Sequence, residues 1–177
     1  MKYYNANDKE TPYQLGQDLS YLIRLYRKSS QPIIILCIGS DRVTGDCLGP
    51  LSGSHLVAEN PNAFILGSLI EPVHAMNLSG ILEQIQTLYE NPFIIAIDAC
   101  LGTPEHIGYI TLEKGGLCPG ESTNKKLPKV GDIAITGIVN RAVASSFLIL
   151  QSTRLHTVVT LSNAICQGIC FALEQAI

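Results

Sequence analysis

Two aspartates are placed where they could do chemistry. Asp46 stands in the Gly39-to-Pro50 stretch G-S-D-R-V-T-G-D-C-L-G-P, and Asp98 ends the apolar run Phe93-Ile94-Ile95-Ala96-Ile97. Each falls where a buried strand should give way to a loop, and in an open α/β sheet those carboxyl ends converge on one crevice that takes ligands. Two carboxylates held within a few ångströms cannot both ionise cheaply. Either they share a proton as an acid/base dyad, or a divalent cation sits between them. Both arrangements can activate a water for hydrolysis. Asp46 also has an architectural alternative, because an aspartate just ahead of Cys47-Leu48-Gly49-Pro50 can cap the helix that follows. Gly39, Gly45 and Gly49 would let the backbone turn sharply and let a ligand approach closely. Asp98 precedes Ala99-Cys100-Leu101-Gly102, a position expected to face the crevice.

Asp41, Glu71 and His74 form a second tier. Asp41 can be a simple turn former, whereas Glu71-Pro72-Val73-His74 follows a strand and should open onto the same sheet edge. His55, His106 and His156 have no carboxylate or thiol at metal-ligand spacing, and His-Glu-x-x-His is absent. The chain has no Gly-x-Ser-x-Gly elbow for a serine nucleophile. Cys47 and Cys100 flank the aspartates, but no basic partner is evident to lower a thiol pKa. The glycine spacing matches neither Gly-x-Gly-x-x-Gly nor a P-loop, so nucleotide binding has little support.

The elements that would position these residues can be read from periodicity. Thr11-Pro12 opens an amphipathic helix carrying Leu15, Leu19, Leu22, Ile23 and Tyr26, ending near Lys28. Ile33 to Ile38 is a continuous apolar, β-branched run, as expected of a parallel strand buried on both faces. Helix is expected from Cys47 to Glu59, strand from Ala63 to Leu69, helix from Asn77 to Tyr89 and strand from Phe93 to Asp98. Ile107 to Glu113 alternates, as an edge or antiparallel strand does, and precedes a polar loop from Lys114 to Val130. Ile133 to Ile138 reads as strand, Val139 to Gln151 as helix and Leu155 to Ala176 as a final apolar helix. The expected fold is one α/β domain over residues 1–177, a three-layer α/β/α sandwich with a mostly parallel sheet. Residues 1–30 would be a polar segment and a covering helix.

Composition narrows the function. The 177 residues are 46% hydrophobic and 15% charged, enough to bury a substantial core. A net charge of −3 without a Lys/Arg cluster lacks the footprint for neutralising phosphates, so no nucleic-acid partner is expected. No leader and no membrane span are expected either, which places the protein in the cytoplasm. The six cysteines are expected to be reduced, packed as small hydrophobes.

Five ordered motifs carry a resemblance. Residues 37–50 (C-I-G-S-D-R-V-T-G-D-C-L-G-P), 71–78 (E-P-V-H-A-M-N-L), 97–102 (I-D-A-C-L-G), 131–140 (G-D-I-A-I-T-G-I-V-N) and 150–155 (L-Q-S-T-R-L) resemble the YyaC sporulation protein family. That family is in turn similar to the germination protease of spore formers, and more distantly to hydrogenase maturation proteases. The resemblance implies a hydrogenase-maturation-protease-like α/β/α fold and an atypical aspartic-type endopeptidase acting on small spore proteins. It carries the two catalytic aspartates onto Asp46 and Asp98. It gives the loop from Pro119-Gly120 through Asn124-Lys125 a substrate-facing role, beside Asp41, Glu71 and His74.

This chain is shorter than the germination protease and has no evident propeptide, so zymogen control is not inherited. In hydrogenase maturation proteases the matching acidic positions and a histidine bind the nickel of the substrate. Asp46 and Asp98 fit two such ligands, while His74 does not fall where that histidine is expected. No cofactor is required for the dyad, although a divalent metal at Asp46/Asp98 stays open. The expectation is thus a peptidase of the sporulating cell or spore interior, taking a protein or peptide substrate, with homo-oligomerisation open. Its rival is a non-catalytic or metal-binding sporulation protein that uses the same crevice for a peptide or ligand.

Overall fold

A computed structural model describes residues 2–119, 129–142 and 146–176. Six strands, β1 (Lys2–Asn5), β2 (Ile33–Cys37), β3 (Phe64–Leu66), β4 (Phe93–Gly102), β5 (Tyr109–Lys114) and β6 (Ile133–Arg141), form one mixed sheet in the order β1-β5-β6-β4-β2-β3. β3, β2, β4 and β6 run parallel, and β5 and β1 complete the sheet antiparallel. The helices are α1 (Thr11–Tyr26), α2 (Leu48–Glu59), α3 (Leu78–Leu88), α4 (Ser146–Gln151) and α5 (Leu155–Ala176), with short 3-10 turns at Thr44–Cys47 and Pro104–His106.

Burial on two faces explains the unbroken apolar strands. Ile33, Ile35 and Cys37 pack into a core with Leu15, Leu19 and Ile23 of α1, Leu48 and Leu56 of α2, and Leu161, Ile165 and Ile169 of α5. Their neighbours Ile34, Leu36 and Ile38 pack on the opposite face with Leu78 and Ile85 of α3. Each such side chain, fully removed from water, contributes about 1.5–3 kcal/mol.

The order of the parallel strands locates the crevice. From β2 the chain crosses through α2 to β3 on one side, then returns through α3 to β4 on the other side of β2. Right-handed crossovers in opposite directions must put their helices on opposite faces, as α2 and α3 are found. The winding therefore reverses between β2 and β4, and the carboxyl ends of these two strands flank the switch point where α/β sheets bind ligands.

Four local expectations change. β4 runs on past Asp98 to Gly102, so Asp98 lies within a strand that outlasts its neighbour β2, which ends at Cys37 opposite Ile97, and not at a strand-to-loop boundary. The polar start contains the edge strand β1, anchored by buried Tyr4, whose hydroxyl donates to Asp18 at 2.7 Å. β5 is consequently not the edge but an inner strand, and of its two expected forms the antiparallel one is found, towards both β1 and β6. Residues 139–141, expected as helix, prolong β6, because past a bulge at Val139 the residues Asn140 and Arg141 pair with Leu101 and Gly102.

α5 is long and apolar enough to cross a membrane by length and composition, with mean hydropathy 1.3 over an 18-residue window. Half of the window is buried within the protein, where α5 packs on α1 and α2.

Candidate active site

β2 hands the chain to the site through three consecutive backbone hydrogen bonds. Ile38 N–H donates to the Ile97 carbonyl (2.7 Å), Gly39 N–H to the Val73 carbonyl (2.8 Å) and Ser40 N–H to the Asp46 carbonyl (3.0 Å). Three segments are thereby tied to one strand end: the residue before Asp98, the residue before His74, and Asp46 itself. The turn bearing Asp46 also lies against β4, with Cα atoms of the two elements within 8 Å.

The glycines serve this packing. Gly39 has φ +146°, and a Cβ there would lie 2.0 Å from the Asp46 carbonyl oxygen. At Gly49 a Cβ would lie 2.0 Å from the Ile38 carbonyl oxygen. The expectation that these glycines clear space for a ligand is therefore revised, since the space is taken by protein backbone. They let the Asp46 turn and the start of α2 close onto the end of β2.

The capping alternative for Asp46 does not hold, as neither the 3-10 turn nor α2 has a side-chain capping hydrogen bond from its N-cap, and the Leu51 N–H bears on the Cys47 thiol. Burial pushes the Asp46 carboxyl above the ordinary value of 3.8, against smaller lowering effects from the Ser40 N–H and the charge of His74. His74 is itself held in place: its backbone N–H donates to Asn77 Oδ1 (2.8 Å), and its Nδ1 accepts the Met76 N–H (3.3 Å).

Asp98 is 9% exposed on the α3 face of the sheet, and its Oδ1 accepts the Ala99 N–H at 2.8 Å, which orients the carboxylate. Asp41 is exposed and close enough to Cys47 to raise its thiol pKa together with Asp46, although burial is the larger cause. A thiol shifted in that direction is a poor nucleophile. Glu71 is exposed in a tight turn, its N–H donating to Ser68 Oγ (3.1 Å) and its carbonyl accepting the Ser68 N–H (3.0 Å). Asn124 and Lys125 lie outside the described residues. Among the described residues no group of three or more His, Cys, Asp or Glu side chains converges to hold a metal ion.

Sequence reasoning passed over the hydroxyls beside Asp98. Asp98 on β4 is in register with Thr136 on β6, and Thr136 with Thr111 on β5. Thr136 Oγ1 lies 2.6 Å from Thr111 Oγ1 and accepts from Cys100 Sγ at 3.4 Å. Threonines at in-register positions of otherwise apolar strands were the available signal.

Fold and site together define an α/β protein with a mixed six-stranded sheet and two aspartates at the carboxyl-end edge where its winding reverses. Residues 3–168 match the family described as "Protein of unknown function (DUF1256)", and the chain belongs to that family. It is similar to a Bacillus subtilis (strain 168) protein named "Uncharacterized protein YyaC", at 39% identity over 169 residues that cover 95% of this chain and 82% of the relative. The YyaC resemblance of the five motifs is thus supported over nearly the whole chain, and neither description carries an activity.

Proposed function

We propose that this chain is an aspartic-type endopeptidase of the sporulating cell or spore, built as a hydrogenase-maturation-protease-like three-layer α/β/α sandwich. The observation that carries this reading is the placement of Asp46 and Asp98 on either side of the switch point, on segments tied to the same strand end. Asp98, oriented by the Ala99 N–H, takes a proton from a water that attacks the substrate carbonyl. Asp46, whose burial lets it keep a proton to higher pH than an exposed aspartate, gives that proton to the developing oxyanion. Collapse of the tetrahedral intermediate passes a proton to the leaving amine and returns the dyad to its starting state.

His74 acts on this cycle through the Asp46 carboxyl, and the exposed Asp41 and Glu71 are proposed to meet the substrate at the rim. A substrate-binding role is proposed also for Asn124 and Lys125. The reaction runs through the carboxylates alone. The substrate is a protein or peptide, with small acid-soluble spore proteins the first to try. Purified protein incubated with such an extract, with and without divalent metals, should yield discrete fragments by mass spectrometry. An intact extract under every condition would favour the rival reading, a protein that binds in the same place without turnover.

A further inference from the structure

Counting protons along the hydroxyl row beside Asp98 leads beyond the dyad. Thr136 and Thr111 bring two O–H donors, and their mutual contact at 2.6 Å consumes one. Thr136 Oγ1 also accepts from Cys100 Sγ, so with Thr111 as donor of the short contact both of its lone pairs are filled, and the pair keeps one proton that no described group accepts. Thr111 is 5% exposed, whereas Thr136 is half-buried, so the open end of the row is at Thr136. Strands lie about 4.8 Å apart, and side chains in register share a face, so this hydroxyl stands beside the Asp98 carboxylate on the α3 side of the sheet. No other described side chain supplies an uncommitted donor in that row.

We infer that Thr136, polarised by Thr111 and Cys100, is a substrate-contacting residue that donates its hydroxyl proton to a main-chain carbonyl of an extended polypeptide lying along Asp98. The inference rests on the peptidase reading for its substrate class, but binding can be measured without turnover. A hydrogen bond to a peptide carbonyl is blind to side-chain identity, so Thr136 sets the position of the chain and leaves sequence selection to other contacts. Cys100 and Thr111 then act through Thr136 as positioning residues.

The test uses fluorescein-labelled acid-soluble spore protein with two readouts: cleavage by the wild type, and anisotropy binding in the Asp46→Asn background. Thr136→Val keeps the β-branched shape and removes the donor, and Thr136→Ser restores it. Loss of one hydrogen bond of about 1 kcal/mol corresponds to roughly fivefold weaker binding for Thr136→Val, with recovery in Thr136→Ser. Melting temperatures confirm that each variant is folded, and Thr111→Val, which leaves the Thr136 hydroxyl in place, should weaken binding less. Binding that depends on Thr136 without any wild-type cleavage would sink the peptidase reading and keep this subsite. Equal binding by Thr136→Val and its parent, or no binding by any variant, would overturn the subsite itself.

Discussion

His74 and Asp46 meet electrostatically at the end of β2: the charge of His74 draws the Asp46 carboxyl pKa down while burial drives it further up. They come from different loops, joined by Gly39 N–H bonding to Val73 and Ser40 N–H bonding to Asp46. Burial dominates, so the folded protein favours protonated Asp46 more than the unfolded chain does.

That imbalance gives a stability prediction with a fixed sign. A carboxyl raised in the folded state costs nothing while both states are protonated, and it destabilises the fold once pH climbs past the unfolded value of 3.8 towards the folded one. Asp46→Asn removes this loss and can still accept the Ser40 N–H. The variant should melt with the wild type near pH 3 and above it at pH 7, as read by calorimetry. Equal melting temperatures at both pH values would contradict the desolvated carboxyl.

Removing the imidazole isolates the opposing effect. In His74→Gln the lowering charge is gone, so Asp46 should titrate at higher pH than in the wild type. Carboxyl-carbon NMR, with the Asp46 signal assigned by its loss in Asp46→Asn, reads this directly. A downward movement would mean that His74 bears on the site through contacts other than charge.

Gly39 is where backbone geometry controls the site. Gly39→Ala combines φ +146° with a Cβ placed 2.0 Å from the Asp46 carbonyl oxygen, so the turn carrying Asp46 has to move. The expected cost is about 2–4 kcal/mol in urea unfolding, from strained backbone and a displaced turn. A loss below about 0.5 kcal/mol, typical of a neutral surface site, would show that the turn does not close as described.

Thiol chemistry is expected to be dispensable. Burial raises the Cys47 thiol, Asp41 and Asp46 raise it further, and the Leu51 N–H that bears on it opposes them. Cys47→Ala should cost no more than about 1 kcal/mol of stability, because the half-buried thiol makes no helix-capping hydrogen bond. With Cys100→Ala added, hydrolysis should persist. Abolished turnover in the double variant would move the nucleophile from water to sulfur.

Much of this architecture was legible because two-sided burial leaves a plain record: Ile33 to Ile38 and Phe93 to Ile97 are apolar at every position, and no exposed strand would be. The amphipathic spacing of α1 and α3 was equally direct. β1 was not legible, since four residues with two tyrosines at an edge carry no alternation, and its pairing with β5 is a long-range event. The extra length of β6 was hidden because Ile138-Val139-Asn140 suits strand or helix until a partner strand is known. Asp46 and His74 could be placed at one sheet edge from strand ends alone, whereas Asp98 sits within β4, level with the end of β2, and neither that overhang nor the strand order that makes this edge a switch point is written locally. The site glycines misled for a physical reason: a missing side chain signals close approach without saying what approaches.

The claim that everything else serves is that Asp46 and Asp98 act as one unit on a water. Initial rates of spore-protein cleavage by Asp46→Asn, Asp98→Asn and the double variant test it most directly. The account predicts that each single change lowers kcat by roughly 10²–10⁴-fold and that the double variant is scarcely worse than either single one. Rates near wild type in either single variant, or losses that multiply in the double variant, would contradict it.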